Sequence, residues 1–182
     1  MKPQAFLRLA LALACFTTLS APARLGETEA ESERRYGAPM PQNQDPLTFS
    51  PLLAGAVNHT YAFQGWTIRA AFVADKAVLI KYSKIPAKDV KPDIQDEELQ
   101  AILAGEAGGY QWQKATAPGG TLQKLALAAL ALNKEFVNTN GNRAHLEHPY
   151  YHLVIESPAA KAFLQARAAA KEQQRKAPVP KF

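Results

Sequence analysis

The chain has 182 residues, of which 47% are hydrophobic and 20% charged, with a formal net charge of +5. That length suits one compact domain with a real core and is short for two. So small a positive surplus does not argue for nucleic acid, and one cysteine, Cys15, gives no disulfide framework and no thiolate metal site.

At the start, Lys2 and Arg8 precede an apolar run from Leu9 to Phe16. The run is far shorter than the roughly 20 residues that span a bilayer, and it has the length of a signal-peptide core. Ala21-Pro22-Ala23 follows, with small side chains where a signal peptidase needs them, so cleavage is expected between Ala23 and Arg24. An amphipathic first helix is the weaker reading, because the segment is apolar all round and breaks at Pro22. Lipidation at Cys15 is a minor alternative. The three residues before it, Ala12-Leu13-Ala14, lack the usual leading leucine, and the apolar run would become short. The expected product is exported, periplasmic or secreted, and free of cysteine.

Residues 24–57 read as a short helix and a proline-rich loop. Thr28 followed by Glu31 is a capping box, in which hydroxyl and carboxylate satisfy two orphan amides, so a helix is expected from about Glu29 to Tyr36. Glu31 and Arg35 are spaced to pair on its surface, and Gly37 and Pro39 end it. From Asn58 to Ser83 the apolar period becomes two, predicting a three-stranded meander with turns at Gly65 and at Asp75-Lys76. Tyr61, Phe63, Trp66, Ile68, Ala70, Phe72, Val78, Ile80 and Tyr82 are expected on one core face, with Thr60, Thr67, Arg69 and Lys81 on a wetter one.

Acidic residues Asp93, Asp96, Glu97 and Glu98 ahead of Leu99, Ile102 and Leu103 signal a second helix, since carboxylates stabilise the positive end of a helix dipole. Thr121 to Leu132 is a third helical candidate. Phe136–Asn138 and Arg143–Leu146 flank Asn140-Gly141, a pair suited to a tight two-residue hairpin, and a further strand is expected from Tyr150 to Glu156. Ser157-Pro158 opens a last helix reaching about Gln174, with the serine hydroxyl as its cap. The expected fold is therefore α+β: an antiparallel meander, middle helices, a C-terminal hairpin and strand, and a C-terminal helix packed on one face. Residues 58–176 form the domain and 177–182 a frayed tail.

Glu31-Ser32-Glu33-Arg34-Arg35-Tyr36-Gly37-Ala38-Pro39, then Gly65-Trp66-Thr67-Ile68 and Asp96-Glu97-Glu98, resemble small exported bacterial proteins of uncharacterised function. These share an E-S-x-x-R-Y-G-x-P opening, a G-W-x-I strand and a D-E-E helix, and the likeness runs from Glu31 to about Trp112. On that resemblance Glu31, Arg35, Tyr36, Gly37, Pro39, Gly65 and Trp66 are structural motif positions. In layout alone, the chain also resembles envelope lipoproteins of the SmpA/OmlA type or one repeat of the β-lactamase-inhibitor-protein fold, an analogy that transfers no functional residue.

Candidate chemistry is sparse. His145, His148 and His152 lie near Glu147 and Glu156, and imidazoles with a carboxylate are ordinary zinc ligands, so a metal site on His145, His148, His152 and Glu156 is the alternative to a non-catalytic binding module. Pro149 keeps them off a single helix, and unliganded strand histidines are commoner. His59 alternates with Tyr61 and Phe63 and reads as a hydrogen-bonded core histidine. There is no Gly-x-Ser-x-Gly elbow and no phosphate-cradling glycine loop, so no catalytic residue and no cofactor is assigned. Lys171, Arg175, Lys176 and Lys181 against Glu172 leave a basic C-terminus suited to weak contact with an anionic surface, although cations at a helix C-terminus also complement its dipole. The partner is otherwise an unspecified envelope protein or polymer.

Overall fold

A computed structural model describes residues 25–41, 50–85, 93–115, 134–147 and 152–176. Among the described residues, seven strands and three helices follow one another: α1 (Glu29–Tyr36), β1 (Val57–Phe63), β2 (Trp66–Val73), β3 (Lys76–Lys84), α2 (Asp96–Glu106), β4 (Trp112–Lys114), β5 (Glu135–Asn138), β6 (Arg143–Glu147), β7 (His152–Glu156) and α3 (Pro158–Lys176). The strands make one antiparallel sheet in the order β1-β2-β3-β7-β6-β5-β4. The chain builds the meander, crosses on α2 to the far edge, and returns inward until β7 lies beside β3. The fold is the expected α+β sheet with the C-terminal helix packed against it. Expected elements at Thr121–Leu132, Tyr150 and Tyr151 fall outside the described residues, as do Cys15, Ala23, Arg24 and His148.

The first helix begins as expected. Thr28 accepts from the Glu31 amide, and Glu31 reaches back to the Thr28 amide at 2.8 Å. Because that carboxylate is taken by the cap, Arg35 does not pair with it. Its guanidinium instead bonds Glu27, eight residues earlier. Gly37 ends the helix at φ 86°, donating its amide to Glu33.

Both meander turns are tight hairpins with two positive-φ residues. Gln64 and Gly65 form the first, at φ 49° and 83°. Ala74 and Asp75 form the second, at 50° and 56°, one residue earlier than the sequence suggests. Asn140-Gly141 behaves differently. Only Gly141 has positive φ, its amide donates to the Asn138 carbonyl, and Asn138 pairs back to Asn142, which makes a three-residue loop. Asn138 explains the difference: its side-chain oxygen accepts from the amides of Asn140 and Asn142 and so holds the wider turn.

A core on one side of the meander was the sequence expectation; the sheet is covered on both. On the first face Tyr61, Ile68, Phe72, Ile80, Leu153 and Ile155 pack with Tyr36 of α1 and Leu99 and Leu103 of α2. On the second, Leu53, Ala71, Val78, Leu79 and Val154 pack with Ala160, against which Phe163 of α3 also leans. The switch comes from a β-bulge. Ala71 pairs with Leu79 while Phe72 pairs with Ala77, so Val78 is the extra residue. It joins the second cluster instead of the first, where strict alternation puts it. The Val78 carbonyl also accepts from both the amide and the hydroxyl of Ser157, so that hydroxyl ties the start of α3 to the bulge.

Candidate functional site

The second face changes character away from α3. Arg69, Lys81, Ser83, His145, Glu147 and His152 all lie on it, as the strand registers require. The Ser83 oxygen sits 2.7 Å from His152 Nδ1, and Lys81 Nζ lies 2.6 Å from the Glu147 carboxylate, reaching across β7 to do so. Ser83 and Glu147 flank His152 on its two neighbouring strands. A serine beside a histidine is the raw material of nucleophilic catalysis, but here Ser83 is only 5% exposed and lies between paired strands. The geometry is that of a polar clamp joining β3, β7 and β6. Sequence reading passed over Ser83 because its partner is 69 residues away.

The expected metal ligands separate. His145 faces Val154 and His152 faces Glu147, which makes the two histidines diagonal neighbours on one face. Glu156 is on the same face but opposite Arg143, at the other end of β7, roughly 13 Å along the strand from His152. His148 lies outside the described residues. Among the described residues, no three histidine, cysteine, aspartate or glutamate side chains converge to hold a metal ion.

His59 is hydrogen-bonded, as expected, but half-buried at the edge of the core rather than within it. Its Nε2 lies 2.8 Å from Glu29 of α1, and its ring packs 5.6 Å from that of Phe72. An open cleft of about 580 Å³ sits beside it, lined by Pro39, Met40, Ser50, Asn58, Thr60 and Arg69 among others. Its polar groups already have work: Arg69 donates to the Ser50 carbonyl at 2.7 Å, and the Asn58 amide nitrogen donates to the Leu53 and Ala56 carbonyls. Trp66, from the sequence motif, lines the first face with Lys84 Nζ 5.8 Å above its ring. Tyr36 is core and Gly65 a turn residue, while Pro39 lines the cleft.

No family model, curated protein or solved structure matches this chain.

The remaining candidate is α3. Its first turns are anchored by Ala160 and Phe163, and from Leu164 to Arg175 every residue but the half-buried Glu172 is exposed. Twelve helical residues extend roughly 18 Å, so this stretch stands out from the body as an arm. Arg167, Lys171 and Arg175 recur every fourth residue and form a cationic stripe. At its base Arg167 lies over the Phe163 ring and against Gly55, where a Cβ would collide with the guanidinium. Glu172 sits 3.7 Å from Arg175 at the tip. Beyond Leu164 the arm carries no large apolar side chain, so electrostatics is the main force it offers a partner. No helix among the described residues is long and apolar enough to cross a membrane.

Proposed function

We propose that this protein is an exported, non-catalytic binding module of the periplasm or the surroundings, and that it meets an anionic envelope surface through the outer half of α3. Export rests on the Lys2 and Arg8 opening, the Leu9–Phe16 run and the Ala21-Pro22-Ala23 site. The single observation that carries the binding role is the exposed arm with Arg167, Lys171 and Arg175 aligned along it. Each cation near an anionic surface contributes about 1 kcal/mol, enough for reversible attachment and too little for permanent anchoring. The dipole of α3 is the competing reason for cations at its end, and the two roles separate experimentally.

The test is partition of the processed chain onto phosphatidylglycerol vesicles and onto neutral phosphatidylcholine vesicles. Preference for the anionic vesicles, lost about 100-fold in the R167E/K171E/R175E variant and weakened steeply by salt, supports the reading. Equal partition onto both kinds, or full retention by the variant, removes it. Loss of helicity without loss of binding assigns the cations to the dipole alone. An intact mass starting at Arg24 checks the address; an unprocessed Met1 overturns it.

A second reading is favoured by one observation, that His145 and His152 share a face on adjacent strands with His148 in the connection between them. A zinc site there must do without Glu156, which faces Arg143. Elemental analysis together with a zinc titration of the melting temperature decides it, and an unchanged melt with no bound zinc sinks it.

A further inference from the structure

Glu106 is only 3% exposed, and it lies where four segments meet. It is the last residue of α2. From β3 the Tyr82 hydroxyl donates to its Oε1 at 2.5 Å, and from the chain ahead of α1 the Leu25 amide donates to its Oε2 at 3.3 Å. Among the described residues, the groups that hydrogen-bond this carboxyl are thus a neutral hydroxyl and a backbone amide, with no cation in contact. Tyr36 of α1 reaches the same cluster through Tyr82, and Glu27 and Arg35, paired with each other, are the charges that face it from further off.

Residues 25–28 form a strap over this carboxyl. Gly26 donates to the Ala77 carbonyl at 2.7 Å, and the Ala77 amide donates to the Glu27 carbonyl at 2.8 Å. Leu25 packs against the first-face core, and the Glu29 amide is held by Asp75 at 3.0 Å. The strap is therefore fastened to the start of β3 by two backbone hydrogen bonds and to α2 by the carboxyl of Glu106. The helix beside it ends in Ala107-Gly108-Gly109, a turn whose two glycines are exposed and hold positive φ.

We propose that Glu106 is a pH-sensitive latch: as the neutral acid it lets the strap and the end of α2 close over the core, and as the carboxylate it draws in water and loosens the strap. The placement requires this choice. A buried carboxylate must be paired or hydrated, and the hydroxyl and amide that contact it do not replace a cation or a solvent shell. Burial is the largest influence and pushes the pKa of Glu106 up to about 8; the Tyr82 and Leu25 hydrogen bonds oppose it, Glu27 adds to it and Arg35 opposes it. Tyr82 is itself held well above the ordinary phenol range by burial and by Glu106, so it stays a neutral donor throughout. The latch is therefore closed in acid and opens above neutrality.

The experiment is amide hydrogen exchange on the full chain between pH 6 and pH 10, with rates corrected for base catalysis of exchange. In the wild type, protection at Leu25–Glu31 and at the end of α2 falls by up to about tenfold for each pH unit as pH rises toward 8 and levels off above it, as one ionising group requires, and it stays below that of β6 and β7 throughout. In E106Q the strap's protection stays level. A second variant, Y82F, removes a hydrogen bond that favours the carboxylate and so moves the levelling-off to higher pH. Level protection in the wild type, or a parallel fall in E106Q, overturns the latch, and strap protection that never drops below that of β6 and β7 shows global unfolding in its place.

Discussion

Replacing Glu106 by Gln has a consequence for stability that can be worked out from its burial. The side chain is nearly isosteric and neutral at every pH, so it keeps the packing and removes the titration. Burial raises the folded-state pKa of Glu106 to about 8, above the ordinary glutamate value of 4.5. A carboxyl raised in this direction favours the folded state fully below pH 4.5, and that contribution is lost as pH rises through 8, because the unfolded chain releases its proton first. The gap between those two values sets a ceiling of about 5 kcal/mol, of which roughly 3 fall between pH 5 and pH 8. That is a large part of the 5–15 kcal/mol by which domains of this kind are stable. Denaturant melts of wild type and E106Q from pH 5 to pH 9 test it. The wild type is expected to lose stability with rising pH, and E106Q to match it near pH 5 and exceed it by about 3 kcal/mol or more at pH 8 and above. Curves that run parallel across the range refute the argument, since a hydrated or ion-paired Glu106 has no such slope. Water entering through the loosened strap lowers the measured slope below the ceiling without changing its sign.

The Tyr61 hydroxyl is buried with no hydrogen-bond partner among the described residues, and burial raises its pKa to about 12, so Tyr61→Phe is expected to stabilise by about 1 kcal/mol in urea melts. Ala74 holds φ 50° in an exposed turn, where Asn is better suited, so Ala74→Asn should raise the melting temperature by several degrees while leaving Asp75 to hold the Glu29 amide. A double-mutant cycle on Ser83→Ala and His152→Ala should give a coupling of about 1 kcal/mol; additive losses remove the clamp. Leu153→Ala, in the centre of the first-face core, is expected to cost about 2–5 kcal/mol in the same melts, and a loss under 1 kcal/mol contradicts the packing.

The parts legible in the sequence are those set by neighbours. The Thr28–Glu31 box, the alternation of Tyr61, Ile68, Phe72 and Ile80, the acidic start of α2 and Ser157-Pro158 each act within a few residues, and each marks its element. Three-residue β4 has no room to show a period, and its place at the sheet edge comes from pairing with β5. Competition for a partner defeats local reading even at short range. Arg35 is well spaced to meet Glu31, but the cap claims Glu31 and the arginine turns to Glu27. Asn140-Gly141 has the letters of a two-residue turn, yet the Asn138 side chain widens it.

The polar pairs that give the molecule its chemistry depend on register. Tyr82 meets Glu106 and Ser83 meets His152 because adjacent β3 residues point to opposite faces, one into the core under α2 and the other onto the clamp. Which of the two points where is set by the bulge at Val78, four and five residues earlier, since each extra residue in a strand reverses the facing of everything on one side of it. Nothing in the run Lys76-Ala77-Val78-Leu79-Ile80 announces that bulge: four apolar residues in a row fit either phase. The buried acid and the buried serine thus became candidates only once the pairing of β2 with β3 was known. A one-residue slip there puts Ser83 under α2 and Tyr82 beside His152, leaving Glu106 without its hydroxyl.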